Sequence, residues 1–329
     1  MSSEVSVLII SWNTRDLLAA CLESLRRSNP VCVREIIVVD NASADGSPEM
    51  VQHRFPEVRL ICAGSNIGFA KGNNLAMRHA IGSIFALVNS DALVHPGCIE
   101  TLATYLEQHP EVGLVGPRVI GGDGLLQRTC RHLPGIWNTL CRALALDRAF
   151  GGRGIFSGYE VSPTRHEVLH ETEVLSGCFC LARRSAVEQV GGLDEQFFFY
   201  GEDIDWCRRF RDAGWKMMFV PQATATHFGG GSTSKAPLRY SIEILKATLK
   251  YWRKYHGVAG QAVCHGLLVL HHGLRLLTRS AKRALGRGRS ADSRYKLNED
   301  IACLRWLLFG TETDDTRVPT AYSSHPDHP

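Results

Sequence analysis

The chain has 329 residues, 44% hydrophobic and 21% charged, a balance that supports a folded globular protein and excludes extensive disorder. A formal net charge of +4 is too small to indicate a nucleic-acid partner, and the basic character is local: between Arg239 and Arg289 the one acidic residue is Glu243. Eleven cysteines, odd in number and set singly within apolar runs, read as reduced and buried, as in a cytoplasmic protein.

The N-terminus enters an apolar run at once, without a basic region or cleavage pattern, so no secretion signal is expected. Val5 to Ile10, Ile36 to Val39, Arg59 to Cys62 and Ile84 to Val88 read as short buried strands alternating with amphipathic stretches, the pattern of a mostly parallel sheet with crossover helices. Helix starts are expected at Asn13 before Thr14-Arg15-Asp16, at Ser47 before Pro48, and at His95 before Pro96. The first half is thus an α/β unit of nucleotide-binding type.

Polar residues cluster where these strands end. Asp40 and Asn41 close the second strand, where an acidic group can accept hydrogen bonds from a nucleotide base or ribose; capping of the turn is the plainer alternative. Asn66-Ile67-Gly68-Phe69-Ala70-Lys71 is a glycine- and amide-rich turn into a helix, with backbone N–H groups and Lys71 suited to phosphates or ribose. Asn89-Ser90-Asp91 follows the fourth strand, where Asp91 can hold Mg²⁺ or Mn²⁺ that keeps positions for diphosphate oxygens.

From about Gly121 to Glu171 the pattern weakens into a basic, irregular excursion near the acceptor side, and Val174 to Leu181 reads as one further strand. Its Cys178 and Cys180 should face opposite sides, which argues against a metal or redox pair. After Phe197-Phe198-Phe199-Tyr200, Glu202-Asp203 opens a helix that ends at Ala213-Gly214. Acidic residues there serve the helix dipole, but three exceed that need. Asp205 can pair with Arg208 or Arg209 one turn on, leaving Asp203 or Glu202 to accept a proton. His227, after a strand-like run and before Gly229-Gly230-Gly231, is the candidate second metal ligand.

Further on, Gly266 to Leu270 is cut short by His271 and His272, well under the roughly 20 apolar residues a bilayer span needs. The stretch can lie on a membrane, with Leu267 to Leu277 supplying apolar surface and Arg275, Arg279, Lys282, Arg283, Arg287 and Arg289 facing anionic headgroups, or it can pack back as a solvated helix. The polar tail after Thr311 is expected to be disordered.

Taken in order, Val7-Leu8-Ile9-Ile10-Ser11-Trp12-Asn13, Val38-Val39-Asp40-Asn41-Ala42-Ser43, Asn66-Ile67-Gly68-Phe69-Ala70, Asn89-Ser90-Asp91 and Phe198-Phe199-Tyr200-Gly201-Glu202-Asp203-Ile204-Asp205 resemble the family 2 glycosyltransferases of the GT-A fold, especially bacterial rhamnosyltransferase-like members. The likeness covers about residues 4 to 235. It implies an inverting transfer from a nucleoside diphosphate sugar of dTDP or UDP type, best dTDP-rhamnose, to a cell-surface polysaccharide or lipid-linked precursor. By the same resemblance Asp40 binds the base, Asp91 belongs to the metal-binding DxD motif, Asp203 is the catalytic base and His227 completes the metal site. Asn89 stands where many members carry the first Asp of that motif. The Gln-x-x-Arg-Trp motif of processive synthases is missing, which implies one sugar added per acceptor. The expected layout is a GT-A domain over residues 4–235, a basic helical extension over 236–310 and a tail over 311–329. A nucleotidyltransferase or sugar pyrophosphorylase is the competing enzyme class, although Ser11-Trp12-Asn13-Thr14-Arg15 lacks the glycine-rich phosphate loop. A non-catalytic nucleotide-sugar-binding module would leave the Glu202-Asp203-Asp205 cluster without a task.

Overall fold

The computed structural model describes residues 4–28, 30–151, 154–156, 158–229, 237–287 and 290–311. Along the chain run β1 (Val5–Ser11), α1 (Arg15–Ser28), β2 (Val33–Asp40), α2 (Ser47–Arg54), β3 (Arg59–Cys62), α3 (Gly68–His79), β4 (Ile84–Asn89), β5 (Ala92–Val94), α4 (Cys98–Gln108) and β6 (Val112–Gly121). Then follow β7 (Cys130–Arg131), α5 (Ile136–Ala143), α6 (Leu146–Ala149), β8 (His170–Glu171), β9 (Val174–Leu175), β10 (Phe179–Arg183), α7 (Arg184–Val190), α8 (Glu202–Asp212), β11 (Lys216–His227), α9 (Pro237–Ala284) and α10 (Ala291–Phe309).

The main sheet runs β3-β2-β1-β4-β10-β6-β11-β5, with β8 on β11. Its first four strands are parallel, as short β-branched runs separated by helices require. Beyond β4 the sheet is mixed rather than mostly parallel: β10 lies antiparallel to both β4 and β6, and β11 is parallel to β6 but antiparallel to β5. The pleat divides the core between the two faces. Val5, Val7 and Ile9 point into one cluster with Leu18, Leu22 and Leu25 of α1, while Leu8 joins Ile37, Val39 and the α8 residues Trp206 and Phe210 in the other. In α1 the buried leucines recur at the helical period, so one stripe is apolar. Truncating one such leucine to alanine costs about 2–5 kcal/mol.

Several local expectations are corrected. Val174 to Leu181 is two strands, because the chain turns at Gly177-Cys178: β9 pairs with β7 in a separate small sheet, whereas β10 enters the main one. Cys178 therefore precedes its strand, yet it and Cys180 do serve opposite core clusters. Glycines in the left-handed region, Gly46 and Gly97, precede α2 and α4, one residue before Ser47 and two after His95. Asn13, at φ 53, precedes the helix by two residues; its side chain binds another loop, as described below.

The chain divides into two compact units, the first holding Met1–Leu133 and Val161–Ser232, the second Pro134–Glu160 and Thr233–Ser323. Part of the expected irregular excursion thus forms α5 and α6 and belongs with the C-terminal helices. In the second unit α9 is interrupted at Gly257 (φ 66), and α10 packs along it. Asp300, fully buried, accepts from His272 at 3.0 Å and pairs with Arg275 at 3.3 Å and with Arg279. Two of the arginines expected to face headgroups are therefore committed to a buried carboxylate, whereas Lys282, Arg283 and Arg287 are exposed. No described helix is long and apolar enough to cross a membrane. Arg289, the glycine-rich stretch from Gly230 and the tail beyond Thr311 lie outside the described residues.

Candidate active site

Parallel register aligns the polar ends of three strands. Ser11 pairs with Asp40 across β1 and β2, and Ile10 pairs with Asn89 across β1 and β4. All three ends open on the C-terminal side of the sheet, where α/β folds bind ligands. Asp40 is buried; its Oδ2 accepts from the Ser43 N–H at 2.9 Å, while Oδ1 is buried without a partner among the described residues. Asn41 donates to the Gly68 carbonyl at 3.2 Å, and its Oδ1 is likewise unpartnered. Two orphaned acceptors at one strand end are costly unless a ligand supplies donors.

The turn around this pocket is knitted from polar side chains. Asn13 donates its N–H to Ser43 Oγ at 2.9 Å and accepts from the Ala44 N–H at 2.8 Å; Asp45 accepts from the Arg15 N–H at 2.8 Å. Asn66 accepts from the Gly68 N–H at 3.0 Å, which orders the start of α3. Gly68 has φ 82 and lies so close to the loop before α8 that an added Cβ would stand 2.6 Å from the Phe198 carbonyl oxygen. Lys71 is exposed in the first turn of α3.

At Asn89-Ser90-Asp91 the middle residue is anchored by a buried hydroxyl chain, Ser11 to Thr14 at 3.0 Å and Thr14 to Ser90 at 2.9 Å. The flanking residues meet His227. Antiparallel pairing of β5 with β11 sets His227 opposite Ala92, and the Phe228 N–H donates to the Asp91 carbonyl at 3.0 Å. His227 Nε2 consequently lies 3.2 Å from Asp91 Oδ1 and accepts from Asn89 Nδ2 at 3.2 Å. Across the ring, Nδ1 is 2.9 Å from Gln127 Oε1.

The acidic helix α8 is preceded by two consecutive left-handed residues, Tyr200 (φ 67) and Gly201 (φ 83). Its three carboxylates have separate environments. Asp205 is fully buried and pairs with Arg209 at 2.9 Å; Arg209 also donates to the carbonyls of Val190, Gly191 and Gly192. Glu202 is buried too, and desolvation, with the charge of Asp203 adding to it, holds its carboxyl well above the usual range and favours its neutral form. Asp203 accepts from the Ile204 N–H at 2.8 Å and the Gly177 N–H at 3.3 Å.

That glycine connects the two acidic sites. The next residue, Cys178, accepts at its carbonyl from the Asn89 N–H at 2.9 Å. Burial pushes its thiol up to about 11, and the charges of both Asp91 and Asp203 act on it in the same direction. Asp91, Asn89, His227 and Asp203 are thus gathered at one edge of the sheet, beside Asp40, Asn41, Asn66 and Gly68. Sequence reasoning missed Thr14, Asn13 as a loop clamp, and Gln127; no periodicity or spacing marks any of them.

The sequence model described as Glycosyl transferase family 2 matches residues 6–191, and that described as Glycosyl transferase family group 2 matches residues 157–287. The N-acetylglucosaminyl-diphospho-decaprenol L-rhamnosyltransferase of Mycobacterium tuberculosis is 30% identical over 248 residues, covering 71% of this chain and 78% of that protein. A dTDP-rhamnosyl transferase of Shigella flexneri is 22% identical, covering 77% of this chain and 78% of that protein. Among solved structures, a mannosyltransferase from Pyrobaculum calidifontis in complex with GDP-Man and Mn²⁺ superposes with a TM-score of 0.58 at 18% identity, covering 95% of this chain and 89% of that one.

Proposed function

The chain belongs to glycosyl transferase family 2, and on that premise we propose that it moves one rhamnose, with inversion, from dTDP-rhamnose to a hydroxyl of a cell-surface polysaccharide or lipid-linked glycan precursor. The carrying observation is the division of labour among three neighbouring carboxyls. Burial favours the neutral form of Glu202 and Asp205 is paired with Arg209, which leaves Asp203 to take a proton, at the edge that also holds Asp91. The choice of rhamnose rests on what the relatives in Mycobacterium tuberculosis and Shigella flexneri are named for.

Asp40 and Asn41 offer the unpartnered oxygens Oδ1 to donors on the nucleotide, and the start of α3, with Asn66, Gly68 and Lys71, borders the same space. Asp91 and His227 fit a divalent cation: a carboxylate oxygen and an imidazole nitrogen face each other at 3.2 Å, and Mg²⁺ or Mn²⁺ is ordinarily held by one or two protein ligands plus substrate phosphates. Asn89, in place of a second carboxylate, lowers the negative charge there by one and turns an amide N–H to His227. When bound, the cation would neutralise charge on the leaving diphosphate. Asp203 takes the proton of the acceptor hydroxyl as that oxygen bonds to the anomeric carbon, while the bond from that carbon to the diphosphate oxygen breaks. The hydrogen bonds from Gly177 and Ile204 hold the carboxylate in place for this transfer.

Asp203→Asn should lose at least ~10²-fold in turnover with donor affinity nearly unchanged. Near-normal turnover would remove Asp203 from this role. Thermal stabilisation by dTDP-rhamnose beyond that by UDP-glucose, UDP-galactose or GDP-mannose, each with Mn²⁺, tests the donor, since a ligand of the folded state raises its stability. Equal or greater stabilisation by another sugar nucleotide would overturn the rhamnose assignment.

A further inference from the structure

Gln127 makes two contacts to a single residue, one to its backbone and one to its side chain. After β6 the chain reverses through Gly121-Gly122-Asp123-Gly124, with Gly124 donating to the Gly121 carbonyl at 2.9 Å and Asp123 accepting from the Leu125 N–H at 3.0 Å. The returning strand is pinned where the Gln127 N–H donates to the Val119 carbonyl at 2.9 Å. Because β6 and β11 pair Gly121 with His227, this reversal delivers Gln127 to the far side of the His227 ring from Asp91.

The amide is oriented by what each atom can do. Its Nε2 lies 2.7 Å from the His227 carbonyl oxygen, which only accepts, so the NH₂ must be on that side. Its Oε1 is therefore turned to His227 Nδ1 at 2.9 Å. That oxygen also only accepts, so Nδ1 carries the hydrogen. With Nδ1 protonated, the lone pair of a neutral ring lies at Nε2, the nitrogen 3.2 Å from both Asp91 Oδ1 and Asn89 Nδ2. In metal sites a hydrogen bond on the distal ring nitrogen fixes tautomer and ring orientation in this manner.

We propose that Gln127 is a positioning residue: it holds His227 in the Nδ1–H form with Nε2 aimed at Asp91, and thereby sets the affinity of this edge for a divalent cation. The affinity claim rests on reading Asp91 and His227 as cation ligands, whereas the tautomer claim stands on the hydrogen bonds alone. Gln127 acts through His227, which it contacts at both the backbone and the ring.

The test compares the full-length wild-type chain with Gln127→Ala and Gln127→Glu. Imidazole ¹⁵N spectra of metal-free protein, followed with rising pH until they no longer change, are assigned for His227 by its loss in His227→Ala. The wild type should show Nδ1–H, Gln127→Ala a shift towards Nε2–H, and Gln127→Glu, which still accepts from Nδ1, the wild-type form. Mn²⁺ titrations followed by electron paramagnetic resonance in the presence of dTDP should show affinity falling about 10–100-fold in Gln127→Ala and staying within about threefold in Gln127→Glu. Matching thermal midpoints exclude loss of fold as the cause. An unchanged tautomer in Gln127→Ala, or Mn²⁺ affinity as weak in the glutamate variant as in the alanine variant, would overturn the proposal. Absence of Mn²⁺ uptake by the wild type would instead defeat the cation reading and the affinity claim with it, while the spectra still decide the tautomer.

Discussion

Replacing Gly68 with alanine should damage stability and activity together, and the size of the effect follows from two separable causes. Gly68 has φ 82, in the region where a Cβ costs roughly 1–2 kcal/mol. The new methyl would also lie 2.6 Å from the Phe198 carbonyl oxygen and 2.9 Å from the Phe198 ring, an overpacking of the kind that costs about 1–3 kcal/mol. Together these amount to about 2–5 kcal/mol, a large share of the 5–15 kcal/mol typical of a domain. Gly64 provides the control: it has φ 74, and nothing stands within 4 Å of its added Cβ, so Gly64→Ala should show the backbone cost alone. Urea unfolding of both variants isolates the steric part as their difference. The methyl also pushes on the carbonyl that accepts from the Phe69 N–H at 3.0 Å, at the head of the loop leading to Asp203, so turnover should fall in Gly68→Ala and hold in Gly64→Ala. Equal stability of the two within about 0.5 kcal/mol, or full activity in Gly68→Ala, would refute the claim that contact with Phe198 sets the loop.

Arg209→Met should destabilise by about 3–5 kcal/mol in denaturant titration, because it takes the guanidinium from the fully buried Asp205 and releases three carbonyls; a loss under about 1 kcal/mol would contradict the burial of that pair. Glu202, whose neutral form burial and then Asp203 favour in the fold, is ionised at lower pH in the unfolded chain. Its contribution is therefore largest below the unfolded pKa of about 4.3 and is lost as pH rises towards the raised folded value. Glu202→Gln should accordingly lessen the decline in stability as pH rises above about 4.3, and an unchanged pH slope would count against the raised carboxyl. For membrane contact, flotation with anionic liposomes should weaken when Lys282, Arg283 and Arg287 are changed to glutamine, at about 1 kcal/mol per charge. Arg275→Gln should instead lower the thermal midpoint with little change in flotation, since Arg275 pairs with Asp300; the reverse pattern would show Arg275 to be the lipid-facing charge.

The parallel strands were legible because each is a short apolar run, with β1 and β4 buried along nearly their whole length and polar residues starting where the strand stops. Asp40, Asn89 and Asp91 are conspicuous for that reason. The pairing of Asp205 with Arg209 was open between two arginines, and helical spacing alone could not decide it; the carbonyls of Val190, Gly191 and Gly192 do. Val174 to Leu181 misled because both pieces are apolar and buried, and only the tertiary pairing of β9 with β7 reveals the break. The helix starts shifted because Gly46 and Gly97 take up left-handed conformations that outweigh side-chain capping by Ser47 or a proline at the first helical position. Gln127 was invisible because its importance lies in one amide's orientation towards a strand 100 residues away.

The junction of Asn89-Ser90-Asp91 with His227 is carried by three paired residues of β5 with the end of β11, by the Phe228 N–H on the Asp91 carbonyl and by Gln127, although Asn89 and His227 are 138 residues apart in the chain. The strands within that span hold the junction, whereas a loop between them can lengthen without changing their register. Doubling such a loop costs only about 0.6 kcal/mol in closure entropy. This chain already inserts Pro134–Glu160, a part of its second unit, within the interval. Length changes confined to such a loop, clear of Gln127 and Gly177, therefore leave the pairing of β5 with β11 as it is.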